Sequence, residues 1–384
     1  MKFKIGSYDL NDNPNYNFQL NRLVNWDGGD PEEVKSISHK IKTNSDWKEQ
    51  LIKLGDIALQ ENRLQHAIGY YRMSEFFMSE SDPDKIKYYR KAVNLFYGFY
   101  SEYFLSGQVQ KFEVPYEDIY LPVLYAKGSG DSSRGTILFH GGNDSYFEEL
   151  FFPMLYLAEK GYDVYLFEGP GQGGVLRDQK KKFTYQWEKP VKEILDHFQL
   201  KDVIIIGVSL GGMLAPRAAA FEKRIKYIVA WSIFPNFLQV ALYDLPKIVQ
   251  IFFLILLKLK LKLWINAIAK RKMKKEVFLQ WVFEHGMYAY DAQNPYEYFS
   301  KLNDFQMLNI AENISQDILI MHGKKDHFID WRMYRREIDS LKNAKSVTLR
   351  LFTEQEHCAD HCQCGNTKLA LDTILCWMDS FGDR

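Results

Sequence analysis

Ser209 sits in Gly207-Val208-Ser209-Leu210-Gly211, directly after the apolar run Val203-Ile204-Ile205-Ile206 and ahead of an alanine-rich stretch that reads as a helix beginning near Leu210. A serine held on a sharp strand-to-helix turn presents its hydroxyl clear of the backbone, and Gly207 and Gly211 remove side chains that would collide in such a turn. A neutral hydroxyl is a weak nucleophile, so it requires a base, and the base requires an acidic partner that fixes its tautomer. In this strand-turn-helix setting the chain order is serine, acid, histidine. Asp326 lies a few residues beyond the apolar run Ile318-Leu319-Ile320-Met321, where a loop can aim its carboxylate at an imidazole. Asp330 competes, but it directly precedes Trp331 at the start of an amphipathic stretch and reads as a helix N-cap. The segment after the last apolar run offers two bases, His357 and His361, and position leaves both open.

Attack on a carbonyl creates an oxyanion that needs two preorganised backbone N–H donors, and losing one such donor costs about 3 to 4 kcal/mol. Leu210, the residue after the nucleophile, supplies one. The second is expected from Phe139-His140-Gly141-Gly142-Asn143-Asp144, with Gly142 first and Asn143 as the alternate; His140 reads as an organiser of that loop rather than a base. Cys358, Cys362 and Cys364 crowd around the two histidines, but every such ligand falls within eight consecutive residues. Structural zinc sites pair two clusters separated by a loop, so no metal is expected, and the chemistry requires no cofactor.

These residues must be carried by elements of the right kind. From Phe112 two strand-like runs flank the turn-prone Tyr116-Glu117-Asp118, and short apolar runs follow at 136–139, 164–167, 203–206, 227–231, 318–321 and 347–351. Helix-length amphipathic stretches lie between most of them, the signature of an α/β fold with a mostly parallel sheet covered on both faces. Ahead of this, Trp47, Leu51, Leu54 and Ala58 share one helical face, and Val93, Phe96, Tyr97 and Tyr100 another. Residues 55–78 look like one tetratricopeptide-type helix pair, with no second copy at the ~34-residue period such arrays need. The gap 233–314 far exceeds a βα connection of about 2 to 6 residues, so it reads as an inserted helical lid overhanging the carboxyl ends of the strands. The expected organisation is a helical N-terminal domain at 1–110, an α/β core at 111–232 and 315–384, and a helical cap at 233–314.

Composition narrows the partners. With 49 basic and 49 acidic side chains among 384 residues there is no field to attract a polyanion, which argues against nucleic acid. The amino-terminal residues lack the apolar core of a signal peptide, and four cysteines, all near the C-terminus, are too few for a disulfide framework, so a cytoplasmic protein with reduced thiols is expected. Residues 248–265 are largely apolar, but the unbroken run is seven residues and Lys258, Lys260 and Lys262 follow it. A lysine at a bilayer centre costs about 2.5 to 3.5 kcal/mol, so no stable membrane insertion is expected. The same lysine-flanked stretch allows contact with a lipid surface or a second subunit, as in a homodimer.

Three further segments carry a resemblance: Glu168-Gly169-Pro170-Gly171-Gln172-Gly173, the His-Gly loop followed by Glu148-Glu149, and Arg217-Ala218-Ala219-Ala220-Phe221-Glu222-Lys223-Arg224-Ile225. With the serine turn, they resemble the branch of α/β-hydrolases that contains the fermentation-respiration switch protein and dihydroxypseudooxynicotine hydrolase, over most of the chain. The resemblance implies a helical N-terminal region, a cap and a serine-histidine-aspartate triad. It maps an Asp-His-Cys-like element onto Asp360-His361-Cys362, ahead of Trp377, which selects His361 and leaves His357 as the alternate base. Pro216, early in the helix after the nucleophile, departs from that pattern and is expected to bend it. The implied function is hydrolysis of a small-molecule ester or related acyl compound through an acyl-enzyme. Cleavage of a carbon-carbon bond in a β-diketone-like substrate, acylaminoacyl peptidase activity, and a non-catalytic regulatory protein that kept the fold are the alternatives, since a fold does not fix the leaving group.

Overall fold

The computed structural model describes residues 3–243 and 245–382, without the side chains of Val277 and Phe278. The chain divides into two compact units, one formed by Ser106–Tyr243 with 302–382, the other by Lys4–Leu105 with 245–301.

The first unit is built on eight strands: β1 (Val109–Tyr116), β2 (Ile119–Ala126), β3 (Thr136–His140), β4 (Asp163–Phe167), β5 (Val203–Val208), β6 (Ile225–Trp231), β7 (Asp317–Gly323) and β8 (Ser346–Phe352). Their order is β1-β2-β4-β3-β5-β6-β7-β8. β1 and β2 form an antiparallel hairpin whose turn places Glu117 at φ 50°, β2 is antiparallel to β4, and every later pairing is parallel. β5 and β7 are buried at every position, which is why they read as continuous apolar runs rather than alternating ones. The strand order reverses around β3, which lies between β4 and β5, and the register sets His140 beside Gly207. The loops leaving the carboxyl ends of β3 and β5 therefore start side by side, at the kind of switch point where open α/β sheets bind ligands.

The long excursion between β6 and β7 begins and ends within this unit. Phe237 N–H donates to Phe305 O and Met307 N–H donates to Pro235 O, so 235–237 and 305–307 pair antiparallel through a single bridge between Asn236 and Gln306. The segment that leaves is shorter than the expected 233–314, because a two-point backbone clamp holds both of its roots.

In the second unit, three helices begin with a cap followed by proline: Asn13 before Pro14–Asn25, Asp30 before Pro31–Ser38, and Asp82 before Pro83–Phe99. Each cap oxygen accepts an orphan N–H of the first turn, while the proline, lacking an N–H, wastes none. Helices Asn44–Gln60 and Leu64–Ser74 pack closely, and a Cβ on Gly55 would come within 2.6 Å of the Tyr71 ring. Trp47 is fully buried among Tyr16 and Phe77, and its indole N–H donates to Met73 O at 2.7 Å. Arg72 and Asp27 form a buried two-bond ion pair at 2.6 and 2.7 Å.

The inserted helices Lys247–Lys258, Lys262–Met273 and Val277–Ala289 belong to this same unit. Trp281 stacks on Phe76 at 5.3 Å and meets Phe77 edge-on at 5.0 Å, and His285 Nδ1 lies 2.8 Å from a Glu80 carboxylate oxygen. The N-terminal helices and the insertion, expected as two regions, share one aromatic core.

Candidate active site

Ser209 follows β5 with φ 62°, a left-handed conformation that a serine adopts at a cost of about 1 to 3 kcal/mol. The turn is held by Ser209 N–H donating to Trp231 O at 2.8 Å and Gly212 N–H donating to Ser209 O at 2.8 Å. Gly207 is required by contact, since a Cβ there would stand 2.0 Å from Gly211 O. Gly211 in turn would set a Cβ 2.6 Å from Gly141 O, so the elbow and the loop after β3 approach too closely for side chains. Helix Gly211–Phe221 runs past Pro216 without ending.

Ser209 Oγ lies 2.8 Å from His361 Nε2, and His361 Nδ1 lies 2.6 Å from Asp326 Oδ2. An ionised carboxylate only accepts, so Nδ1 carries the proton toward Asp326 and Nε2 is the acceptor facing the serine hydroxyl. Asp326 is fixed by its other oxygen, which accepts N–H bonds from Phe328 and Ile329 at 2.9 Å each. Burial acts to raise the Asp326 pKa, but the His361 charge and these donors outweigh it and hold the carboxyl below its ordinary value. Burial acts to lower the His361 pKa, and the Asp326 charge overrides it, lifting the imidazole well above the ordinary histidine value. The result is a base stronger than a free imidazole, aimed at a hydroxyl.

The competing residues lie elsewhere. His357 is exposed, at φ 53° in the cap of a short 3-10 turn, whereas His361 is buried with Phe328 edge-on at 5.1 Å. Asp330 caps the turn Trp331–Met333 and bonds Arg332 through both its N–H and its Nε. Cys362 and Gln363, at φ 53° and 52°, turn the chain sharply after His361.

In the loop after β3, Gly142, expected as the second oxyanion donor, gives its N–H to Ser145 Oγ at 2.7 Å. What the glycine supplies is fit, since a Cβ there would stand 2.6 Å from Val208 O and 2.8 Å from Leu210 N. Leu210 N–H, at the start of the helix, has no acceptor among the described residues. His140 is buried and neutral: desolvation pushes its pKa down to about 4, Nδ1–H donates to Gly141 O, and Nε2 accepts from Trp187 Nε1–H.

Two residues went unassigned in the sequence although both fall within the quoted Glu168–Gly173 segment. Gln172 donates from Nε2 to Gly141 O and Gly142 O at 2.8 and 3.0 Å and accepts Gly169 N–H, tying the loops after β3 and β4 together. Glu168, buried, accepts N–H bonds from Phe147 and Gly174. Desolvation raises its pKa to about 8. A glutamine between glycines after a strand was the available signal.

Sheet order, elbow and switch-point loops define an α/β-hydrolase scaffold. The sequence matches the alpha/beta hydrolase fold family over residues 137–361, and the chain belongs to that family. It is 32% identical over 252 residues to the 20-hydroxy-prefusarin hydrolase FUS2 of Gibberella moniliformis, covering 56% of this chain and 59% of that one. It is 28% identical over 316 residues to the hydrolase acrC of Aspergillus aculeatus, covering 71% and 69%. The chain thus spans about three fifths of the length of FUS2. Among solved structures, it resembles 2,6-dihydroxy-pseudo-oxynicotine hydrolase at TM-score 0.65 and 19% identity, covering 94% of this chain and 95% of that one. AbyA5 superposes at TM-score 0.66 and 15% identity, covering 91% and 90%. At these identities, both likenesses concern the fold.

Proposed function

We propose that this protein is a serine hydrolase that cleaves a small-molecule ester or related acyl compound through an acyl-enzyme on Ser209. The observation that carries the reading is the unbroken pair of contacts from Ser209 Oγ to His361 Nε2 and from His361 Nδ1 to Asp326. Ser209 Oγ attacks the carbonyl carbon as its proton passes to His361 Nε2. The imidazolium then protonates the leaving group, and water deacylates the serine by the same route, while Asp326 stays ionised throughout. Leu210 N–H faces the developing oxyanion. The second donor comes from the loop after β3, where Gly142 N–H must first release Ser145, or Asn143 N–H takes its place.

The test is labelling with a fluorophosphonate probe alongside turnover of p-nitrophenyl esters, an N-acylated peptide and a β-diketone, which separates ester, peptide and carbon-carbon cleavage. The expected result is one phosphonylated serine, at Ser209, with ester turnover. A protein that stays unlabelled and whose Ser209→Ala form turns over substrate undiminished is not a serine hydrolase.

A further inference from the structure

The first half of the insertion is built unlike the rest of its unit. Helix Lys247–Lys258 is held down by Phe253 and Leu256, with Phe253 edge-on to Phe299 at 4.6 Å. A different face carries Ile248, Ile251, Phe252, Ile255 and, just past the helix, Leu259, recurring at helical spacing and 48 to 76% exposed. Helix Lys262–Met273 adds Trp264, 66% exposed. Scattered exposed apolar residues need no explanation, but a continuous stripe with a tryptophan beside it does.

The charge around the stripe is one-sided. Between 247 and 275 there are nine lysines and arginines and no aspartate or glutamate, in a chain whose net charge is zero. All nine are exposed, and only Lys262, with Glu297, and Lys272, with Glu276, have a carboxylate partner among the described residues.

We propose that helices Lys247–Lys258 and Lys262–Met273 dock in the plane of an anionic lipid bilayer surface, with the apolar stripe in the acyl boundary and the basic side chains against the headgroups. An in-plane helix binds by combining these two features, and each lysine near an anionic surface adds about 1 kcal/mol, roughly a fivefold gain in partitioning. A second copy fits less well, because a two-fold contact sets a patch against itself and would oppose two basic, acid-free segments. Crossing the bilayer is out of reach for a helix of twelve residues, about 18 Å long against a hydrocarbon core of about 30 Å. No helix among the described residues is long and apolar enough to span. This docking does not depend on the reaction assigned to Ser209.

The experiment is co-sedimentation of the full chain with vesicles of phosphatidylcholine alone or with about a third phosphatidylserine. Binding is expected on the mixed vesicles, about tenfold or more weaker on the neutral ones, and falling as salt rises. Lys258→Glu with Lys260→Glu, and separately Phe252→Ser with Trp264→Ser, should each weaken binding at least about tenfold while far-ultraviolet dichroism stays that of the parent. Brominated acyl chains should quench tryptophan fluorescence in the parent and not in Trp264→Phe. Equal binding to neutral vesicles, no binding to either, or variants that bind like the parent would overturn the proposal. A dimer in sedimentation velocity that Phe252→Ser abolishes would overturn it too, and would assign the stripe to a second copy.

Discussion

Within the sheet unit and within the helical unit, position is set by different kinds of interaction. Around Ser209, position is set atom by atom: a left-handed serine, two glycines with no room for a methyl, and a glutamine amide reading two carbonyls at once. In the helical unit, position is set by shape, with Trp47, Phe76, Phe77 and Trp281 filling one aromatic core. Chemistry tolerates errors of a few tenths of an ångström, so the first unit spends backbone strain and buried hydrogen bonds on accuracy. The second has only to hold its helices, and aromatic packing does that with looser geometry.

The contrast predicts that single changes in the two units fail in different ways. Ser209→Ala should lower ester turnover by about 10⁶ with little change in melting temperature, as loss of the nucleophile does in a serine protease; fluorophosphonate labelling and calorimetry read the two sides. Asp326→Asn should lower kcat by about 10⁴, because the amide no longer enforces the proton on Nδ1. It should also move the acid limb of the kcat/KM profile to lower pH. His361 works as a base only when neutral, and the Asp326 charge is what lifts its pKa, so removing that charge lets it stay neutral further into acid. A limb that does not move would put the source of the raised pKa elsewhere.

Trp281→Ala should break the opposite side of the contrast. Its contacts with Phe76 and Phe77, of about 0.5 to 1.5 kcal/mol each, are lost along with its stacking on His285, so hydrogen exchange in Val277–Ala289 should rise by an order of magnitude or more. Phosphonylation of Ser209 should proceed at the parent rate. A variant that reacts tenfold more slowly would mean the helical unit does more than fill space.

The smallest effect concerns Glu168. Its folded pKa, about 8, lies above its unfolded value near 4.3, so the proton it keeps on folding stabilises the protein below about pH 4, and that stabilisation fades as pH climbs through 8. Glu168→Gln cannot ionise and should therefore show a smaller fall in melting temperature between pH 5 and pH 8 than the parent. Glu337, raised to about 8 by the same desolvation, keeps a similar slope in both proteins.

How much could be read in advance follows the same division. The parallel strands are legible because burial on both faces makes each an apolar run, and the serine turn because Gly207, Ser209 and Gly211 are constrained by contacts within a few residues. The order serine, aspartate, histidine also narrows the partners along the chain, although only family likeness separates His361 from His357. The Gly142 N–H is less legible: its contact is with a hydroxyl three residues away whose rotamer no pattern encodes. The union of the insertion with the N-terminal helices is equally hidden, since Phe76 and Trp281 meet across some two hundred intervening residues and each alone is just another core aromatic. The roots of the insertion are set by one bridge and two backbone bonds, too short a ladder to leave an alternating pattern.

That short ladder has a consequence for how such chains diversify. Because Phe237 and Phe305 are joined backbone to backbone, the outgoing and returning segments leave the sheet unit as neighbours. Whatever is strung between them, whether four helices or a tight turn, begins and ends at nearly the same point in space. A lineage, or a designer, can therefore exchange everything from 244 to 301 as a cassette without re-threading the strands that carry Ser209 and Asp326.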